Sequence, residues 1–364
     1  MRVLHVYKAY RPDNFEGIPR VIWELAEGLA PLGIDSDVFC LSESPDPEHL
    51  RIGTHDVYRA RQTLEVASTG FSLSAFSIFR RRALAADIVH YHYPWPMMDV
   101  LHAVVRHNKP SLVTYHSDVV RQRFLGALYR PLMWSFLSSM DCVVATSPNY
   151  AASSQVLCAL GQKVVTIPIG IGPRAAPSTE LVRQWRERVG DGFFLFVGVN
   201  RYYKGLGTLH EAAQRTGLPL VIAGKGHPLA AAANVTVLGE VSDADKEALL
   251  ELCTALVLPS HLRSEAYGIV LVEAARAARP MISCEIGTGT SFINIDGKTG
   301  NIFPPSDSAA LAAAMQQLMQ NRELARHLGA GAESRYRSLL TAERMAQSYA
   351  EIYQSLDRST SSTA

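Results

Sequence analysis

Short apolar runs alternate with longer stretches of helical spacing along most of this chain, and the alternation stops once and then begins again. Runs of strand character fall at 3–7, 35–41, 88–93, 112–115, 142–146 and 164–168. Between them, 19–32, 97–107, 124–138 and 149–160 place apolar residues on one helical face. Strands regularly separated by helices of this length pair in parallel as βαβ units. At Pro168-Ile169-Gly170-Ile171-Gly172-Pro173 the pattern halts in a Pro/Gly cluster suited to a linker. A second set of strands follows at 193–199, 220–223, 235–238, 255–259, 281–284 and 300–303, with helices at 243–253 and 267–278. Residues 308–357 are helical and rich in alanine. A chain of 364 residues exceeds the size at which one core keeps growing. The reading is therefore α/β with two doubly wound domains, 1–172 and 173–340. A C-terminal helix, 341–357, packs back on the first domain, and 358–364 is a frayed, disordered tail.

The composition narrows the function. Apolar residues make up 48% and the net charge is only +1, which excludes a general polyanion binder and so nucleic acid as a partner. Cys40, Cys142, Cys158, Cys253 and Cys284 are scattered without a CxxC pair, as in a reduced, cytoplasmic protein. The first residues are too short and interrupted for a signal peptide and form a buried strand instead. No run of about 18 apolar residues exists to span a membrane. Between Phe76 and Trp134, eight basic residues face three acidic ones, a local excess of +5. Within that stretch, Arg121, Arg123 and Arg130 interleave with Phe124, Leu125, Leu128 and Tyr129. Such a segment suits weak contact with an anionic membrane surface, or an ordinary amphipathic helix packed on the sheet.

Open parallel sheets bind ligands at the carboxyl ends of their strands. Arg201 and Lys204 follow the strand at 193–199, where a guanidinium fork and a compact ammonium suit the oxygens of a diphosphate. They could equally be solvated surface cations. Glu265 precedes the helix at 267–278, and Glu273 lies about two turns past it. The amides of Tyr267, Gly268 and Ile269 open that helix and are free to meet a phosphate. Glu273 sits inside an apolar stretch, and a buried carboxylate needs partners. Glu265 suits the hydroxyls of a sugar and Glu273 a ribose diol, while the plain alternative is a helix cap and an amphipathic position. Together the groups describe a nucleotide-sugar site. Among the histidines, His90, His92, His102 and His107 lack the carboxylate company and HExxH spacing of a metal centre, so no metal is expected.

The run Arg201…Lys204-Gly205, then Pro259-Ser260…Glu265…Glu273-Ala274, resembles the signature of retaining glycosyltransferases of family four, whose GT-B fold sets two Rossmann-like domains about a central cleft. Phe15-Glu16-Gly17-Ile18-Pro19 resembles the family's first glycine loop, with one glycine where many relatives carry two. Asp87-Ile88-Val89-His90-Tyr91-His92 and Thr114-Tyr115-His116-Ser117-Asp118 resemble its two strand ends that line the active site. The resemblance implies that Glu265 contacts the donor sugar, Glu273 the ribose, Arg201 and Lys204 the diphosphate, and Gly17 the donor phosphates or acceptor. It places His116 near the transferred sugar as a catalytic group and makes His90, His92 and Asp118 acceptor-side candidates. It implies transfer with retention and without a metal or other cofactor. Stretches 145–150, 283–291 and 296–300 resemble bacterial polysaccharide mannosyl- and rhamnosyltransferases, so a GDP-linked mannose or deoxyhexose and a saccharide or polyprenyl-linked acceptor are expected. The alternatives on the same fold are a nucleotide-sugar epimerase, a phosphorylase and a non-catalytic sugar-nucleotide-binding subunit. A phosphorylase would need a pyridoxal-phosphate lysine, for which the sequence offers no strong candidate.

Overall fold

The computed structural model describes residues 1–66, 69–118, 123–226 and 232–361, with 123–128 and 359–361 described for their backbone alone. The chain divides into one unit of Met1–Gly170 with Ala342–Ala364, and a second of Ile171–Thr341.

The first unit is built on eight strands. They are β1 (Arg2–Val6), β2 (Asp35–Ser42), β3 (His49–Ile52), β4 (His55–Arg61) and, beyond a small hairpin of β5 (Leu64–Val66) and β6 (Thr69–Phe71), β7 (Ile88–Tyr93), β8 (Ser111–Tyr115), β9 (Cys142–Ala145) and β10 (Val164–Thr166). Their order is β10-β9-β8-β7-β1-β2-β4-β3. Pairing is parallel throughout except for β3, which runs antiparallel to β4 at the edge. Both faces of the central strands are covered, so β7 is buried at every position. The second unit has β11 (Phe194–Val197), β12 (Leu220–Ala223), β13 (Val235–Gly239), β14 (Ala255–Leu258), β15 (Met281–Cys284) and β16 (Gly300–Phe303), in the order β13-β12-β11-β14-β15-β16 and wholly parallel. In each sheet the chain starts near the middle, works to one side, then returns to build the other. The point of reversal lies between β1 and β7 in one unit and between β11 and β14 in the other.

All twelve expected strands are present. The segment between 42 and 75 adds β3 to β6, and helices at Ala75–Ala85, Thr179–Val189 and Leu206–Thr216 were also unassigned by the sequence pattern. The final helix runs from Ala342 to Ser361, so residues 358–361, expected in the tail, are helical, and residues 362–364 lie outside the described residues; backbone hydrogen bonding carries the helix past the last buried residue, Tyr353.

That final helix belongs to the first unit and completes it. Helix Ile18–Leu29 lies against it so closely that a Cβ on Gly28 would stand 2.9 Å from that of Ala346. On the sheet, register sets His5 beside His90 and His92 beside Thr114. Alternation puts His5, His90 and His92 on one face, and there the final helix meets His90. Tyr353 Oη is hydrogen-bonded to His90 Nδ1 at 2.7 Å, His90 Nε2 to Thr114 Oγ1 at 2.7 Å, and Thr114 Oγ1 to Tyr349 Oη at 2.6 Å, all buried. His90 and Thr114 on this polar face are thus satisfied by a helix that arrives from the end of the chain.

Two stability measurements check this account. Tyr353→Phe strips His90 of a buried partner and is expected to cost about 1–3 kcal/mol in urea unfolding, with the secondary structure retained; an unchanged midpoint would remove the helix's polar anchor from the explanation. Burial, with a smaller contribution from His55, pulls His5 down to about 3, and burial alone pulls His116 down to about 3. The folded state therefore favours the neutral rings. Their stabilisation is complete above the unfolded value of about 6.5 and drains away as pH falls toward 3, by about 1.4 kcal/mol per pH unit for each histidine. Urea midpoints are expected to drop between pH 7 and pH 5.5; a flat profile contradicts buried neutral histidines.

Candidate functional site

In the second unit the reversal point carries the charged groups. The chain leaves β11, passes Arg201, makes one tight turn at Tyr202–Lys204 and enters helix Leu206–Thr216 through Gly205. Gly205 has φ 68°, and a Cβ there would collide with the carbonyl oxygen of Pro259 at the end of neighbouring β14. Glycine is needed at this position for both reasons. The His261 amide donates to the Tyr203 carbonyl at 3.0 Å, tying the two loops together.

This seam brings Lys204 onto Glu265. The ammonium donates to Glu265 Oε2, and Ser260 Oγ donates to the same oxygen at 2.9 Å. Both charges are largely shielded, with side-chain exposures of 14% and 11%. Burial alone would lower the Lys204 pKa. The Glu265 carboxylate, with a smaller part from Tyr203, outweighs it and leaves the ammonium more firmly protonated than usual. Arg201, two residues before the middle of the turn, is exposed.

Glu265 leads into Gly268, which has φ 81° and opens helix Ile269–Arg276. No side chain caps that helix, so its first amides are available to an anion. Tyr267 is buried below them. Glu273, 3% exposed, is paired with Lys246 Nζ at 2.7 Å, and Lys246 also reaches Asp243 at 2.8 Å. The loop at 285–291 closes on the same place: the Gly289 amide donates to the Ala266 carbonyl at 2.9 Å, and Arg263 donates to the Gly287 carbonyl at 3.2 Å. Glu285 holds that loop by accepting from the Gly287 amide and from Ser291 Oγ.

In the first unit the matching strand ends carry histidines. His92 is the penultimate residue of β7 and His116 follows β8, joined Nδ1 to Nε2 at 3.1 Å. His116 keeps a small open surface, whereas His90 and His92 are wholly buried with both ring nitrogens engaged inside the domain. In this structure neither of those two is open to an acceptor. Asp118 Oδ1 accepts from Tyr115 Oη at 3.0 Å and from Ser154 Oγ at 2.7 Å, so its carboxylate fastens the loop after β8. Gly17 has φ 64°, nothing within 4 Å of a would-be Cβ, and caps helix Ile18–Leu29 without a side-chain bond.

Sequence reasoning singled out Lys204, Glu265 and Glu273 separately but missed Ser260 as a partner, Lys246, and His5. Lys246 carried a usable signal, since a buried Glu273 demands a cation. Of the basic stretch, Arg121 and Gln122 lie outside the described residues, as do the side chains of Arg123–Leu128. Arg82 is spent on the Tyr58 ring at 3.9 Å and Arg81 stands 3.5 Å from Glu48. No described helix is long and apolar enough to cross a membrane.

Two family descriptions match the chain: Glycosyltransferase Family 4 over residues 15–174 and Glycosyl transferases group 1 over residues 177–335. Among proteins of similar sequence are D-rhamnosyltransferase WbpZ of Pseudomonas aeruginosa, 51% identical across 94% of this chain and 93% of its own, and O-antigen chain mannosyltransferase C of Escherichia coli, 47% identical across 98% and 99%. Solved structures of similar fold include sucrose-phosphate synthase from Thermosynechococcus elongatus, at TM-score 0.82 and 20% identity across 98% of this chain and 99% of its own. The lipopolysaccharide glycosyltransferase WaaG gives 0.70 and 17%, across 96% and 99%. The fold is GT-B, and the chain belongs to glycosyltransferase family 4.

Proposed function

We propose that this glycosyltransferase moves a hexose, mannose or a deoxyhexose such as rhamnose, from a GDP-linked donor to a saccharide or lipid-linked oligosaccharide during surface polysaccharide synthesis. The observation that carries the reading is the buried Lys204–Glu265 contact at the reversal point of the second sheet, with Glu273 and an uncapped helix start beside it. The rhamnosyl- and mannosyltransferase relatives at about half identity support the sugar class.

Each group has a task in this reading. Lys204 and Arg201 take the diphosphate, whose charge grows as the glycosidic bond breaks, and a preset ammonium stabilises that growth without reorganising. The open amides of Gly268 and Ile269 assist at the positive end of their helix. Glu265, held by Lys204 and Ser260, presents its other oxygen to donor-sugar hydroxyls. Glu273, oriented by Lys246, accepts from the ribose diol. His116 donates to the transferred sugar, and Gly17 leaves room for a backbone approach at the start of its helix. Transfer proceeds with retention: the acceptor attacks from the face the leaving phosphate vacates, and that phosphate takes its proton. No metal is assigned a role. The site of action is the cytoplasm, with weak peripheral contact at the inner membrane surface.

Glu265→Gln is expected to lower transfer from GDP-mannose or GDP-rhamnose by about 10²-fold or more with the secondary structure retained, at a lower melting temperature because Lys204 loses its buried counter-charge; near-normal turnover would dismiss its role. Lys204→Ala should weaken GDP binding by about 10-fold or more in titration calorimetry without added metal, the loss expected for a charge-assisted contact. GDP bound equally by both proteins, or UDP preferred by the parent, would overturn the diphosphate assignment or the donor respectively.

A further inference from the structure

His116 does not stand alone. Its Nε2 meets His92 Nδ1 at 3.1 Å, and His92 Nε2 meets His5 Nδ1 at 3.2 Å, so three imidazoles from three neighbouring strand positions form one line. At the inner end, His5 Nε2 is fully buried and has no hydrogen-bond partner among the described residues. At the outer end His116 retains about 6% of its surface, and its Nδ1 has no partner among the described residues. Burial keeps all three rings neutral, and a neutral imidazole carries a single N–H.

With one proton per ring and two shared contacts, only two orders are possible. In one, protons sit on every Nε2: His116 donates to His92, His92 to His5, and His5 is left with a buried N–H facing nothing. In the other, protons sit on every Nδ1: His5 donates to His92, His92 to His116, and the orphan is only a ring lone pair. Buried N–H groups without acceptors are the rarer fault in folded proteins. We infer that His5 and His92 are positioning residues that fix His116 as the Nδ1–H tautomer, so that it meets the substrate as a hydrogen-bond donor. The inference rests on the proposed transfer role of His116.

Another use of these rings is a cation, since His5, His90 and His92 offer nitrogens within 4.8 Å of one another. His90 is poorly placed for it, because Tyr353 and Thr114 already hold both its nitrogens. The hydrogen-bonded line uses the contacts as they stand.

The test is a long-range proton–nitrogen correlation spectrum of the full chain labelled with 15N-histidine, with assignments from single His→Gln variants. His92 and His116 are expected to show a protonated Nδ1 and a bare Nε2. The opposite pattern, or displacement of these signals by zinc at equimolar concentration, overturns the proposal. A pair of variants at the buried end adds kinetics. His5→Asn keeps a donor where Nδ1 stood and should leave kcat within about 2-fold, whereas His5→Leu, of similar size without a donor, should mix the His116 tautomers. For that variant kcat is expected to fall by about 10-fold at nearly constant KM, the low end of what removing a group that orients a histidine costs at metal sites. Equal losses in both variants overturn the positioning role. If the spectrum is as expected but His116→Gln turns over normally, the ordered line is upheld and the transfer role of His116 is what fails.

Discussion

Parallel pairing obliges each strand to hand its chain on at the same edge of the sheet, and nearly everything of chemical interest here follows from that. A parallel sheet also has both faces covered, so the strand ends are where polar side chains can gather. In the second unit, β11 and β14 are neighbours although the chain has built β12 and β13 between them. Their departing loops leave side by side before heading to helices of their own, and where they touch, Lys204, Ser260 and Glu265 meet. In the first unit β1 and β7 stand in the same relation, and His92 lies next to the end of β7 while His116 directly follows β8.

The charged groups of the second unit form two linked pairs and not a scatter of independent ligands. Lys204 is neutralised by Glu265 and Glu273 by Lys246, each at low exposure. A buried ion pair adds little to stability once desolvation is counted. Its value lies in orientation: each carboxylate has one oxygen committed to a lysine, and its remaining acceptor capacity keeps a fixed direction. The loop at 285–291 is fastened by the same device, with Glu285 holding an amide and a hydroxyl at once.

Much of this was legible in the sequence. The period of the apolar runs carried all the central strands, because a strand buried on both faces shows as an unbroken apolar run. β5 was invisible for the converse reason, since Leu64–Val66 is exposed at every position. Lys204 and Glu265 were legible as candidate site groups, yet their contact depends on Gly205 lying against Pro259, which spacing along one chain does not express. His5 reads as an ordinary core histidine until register sets it beside His90, and only the folded sheet shows that its ring points along a line ending at His116. The engagement of His90 by Tyr353 was illegible for the same reason: the partners lie 263 residues apart.

That separation has a consequence for how the protein is made. Because the last helix belongs to the first unit, the second unit is in effect an insertion within it. On a ribosome adding about 5–20 residues per second, the first sheet waits on the order of tens of seconds for its final layer. Through that interval His90 and Thr114 lie on a face whose tyrosine partners do not yet exist, while the whole second unit has been synthesised. The domain begun first is the one finished last.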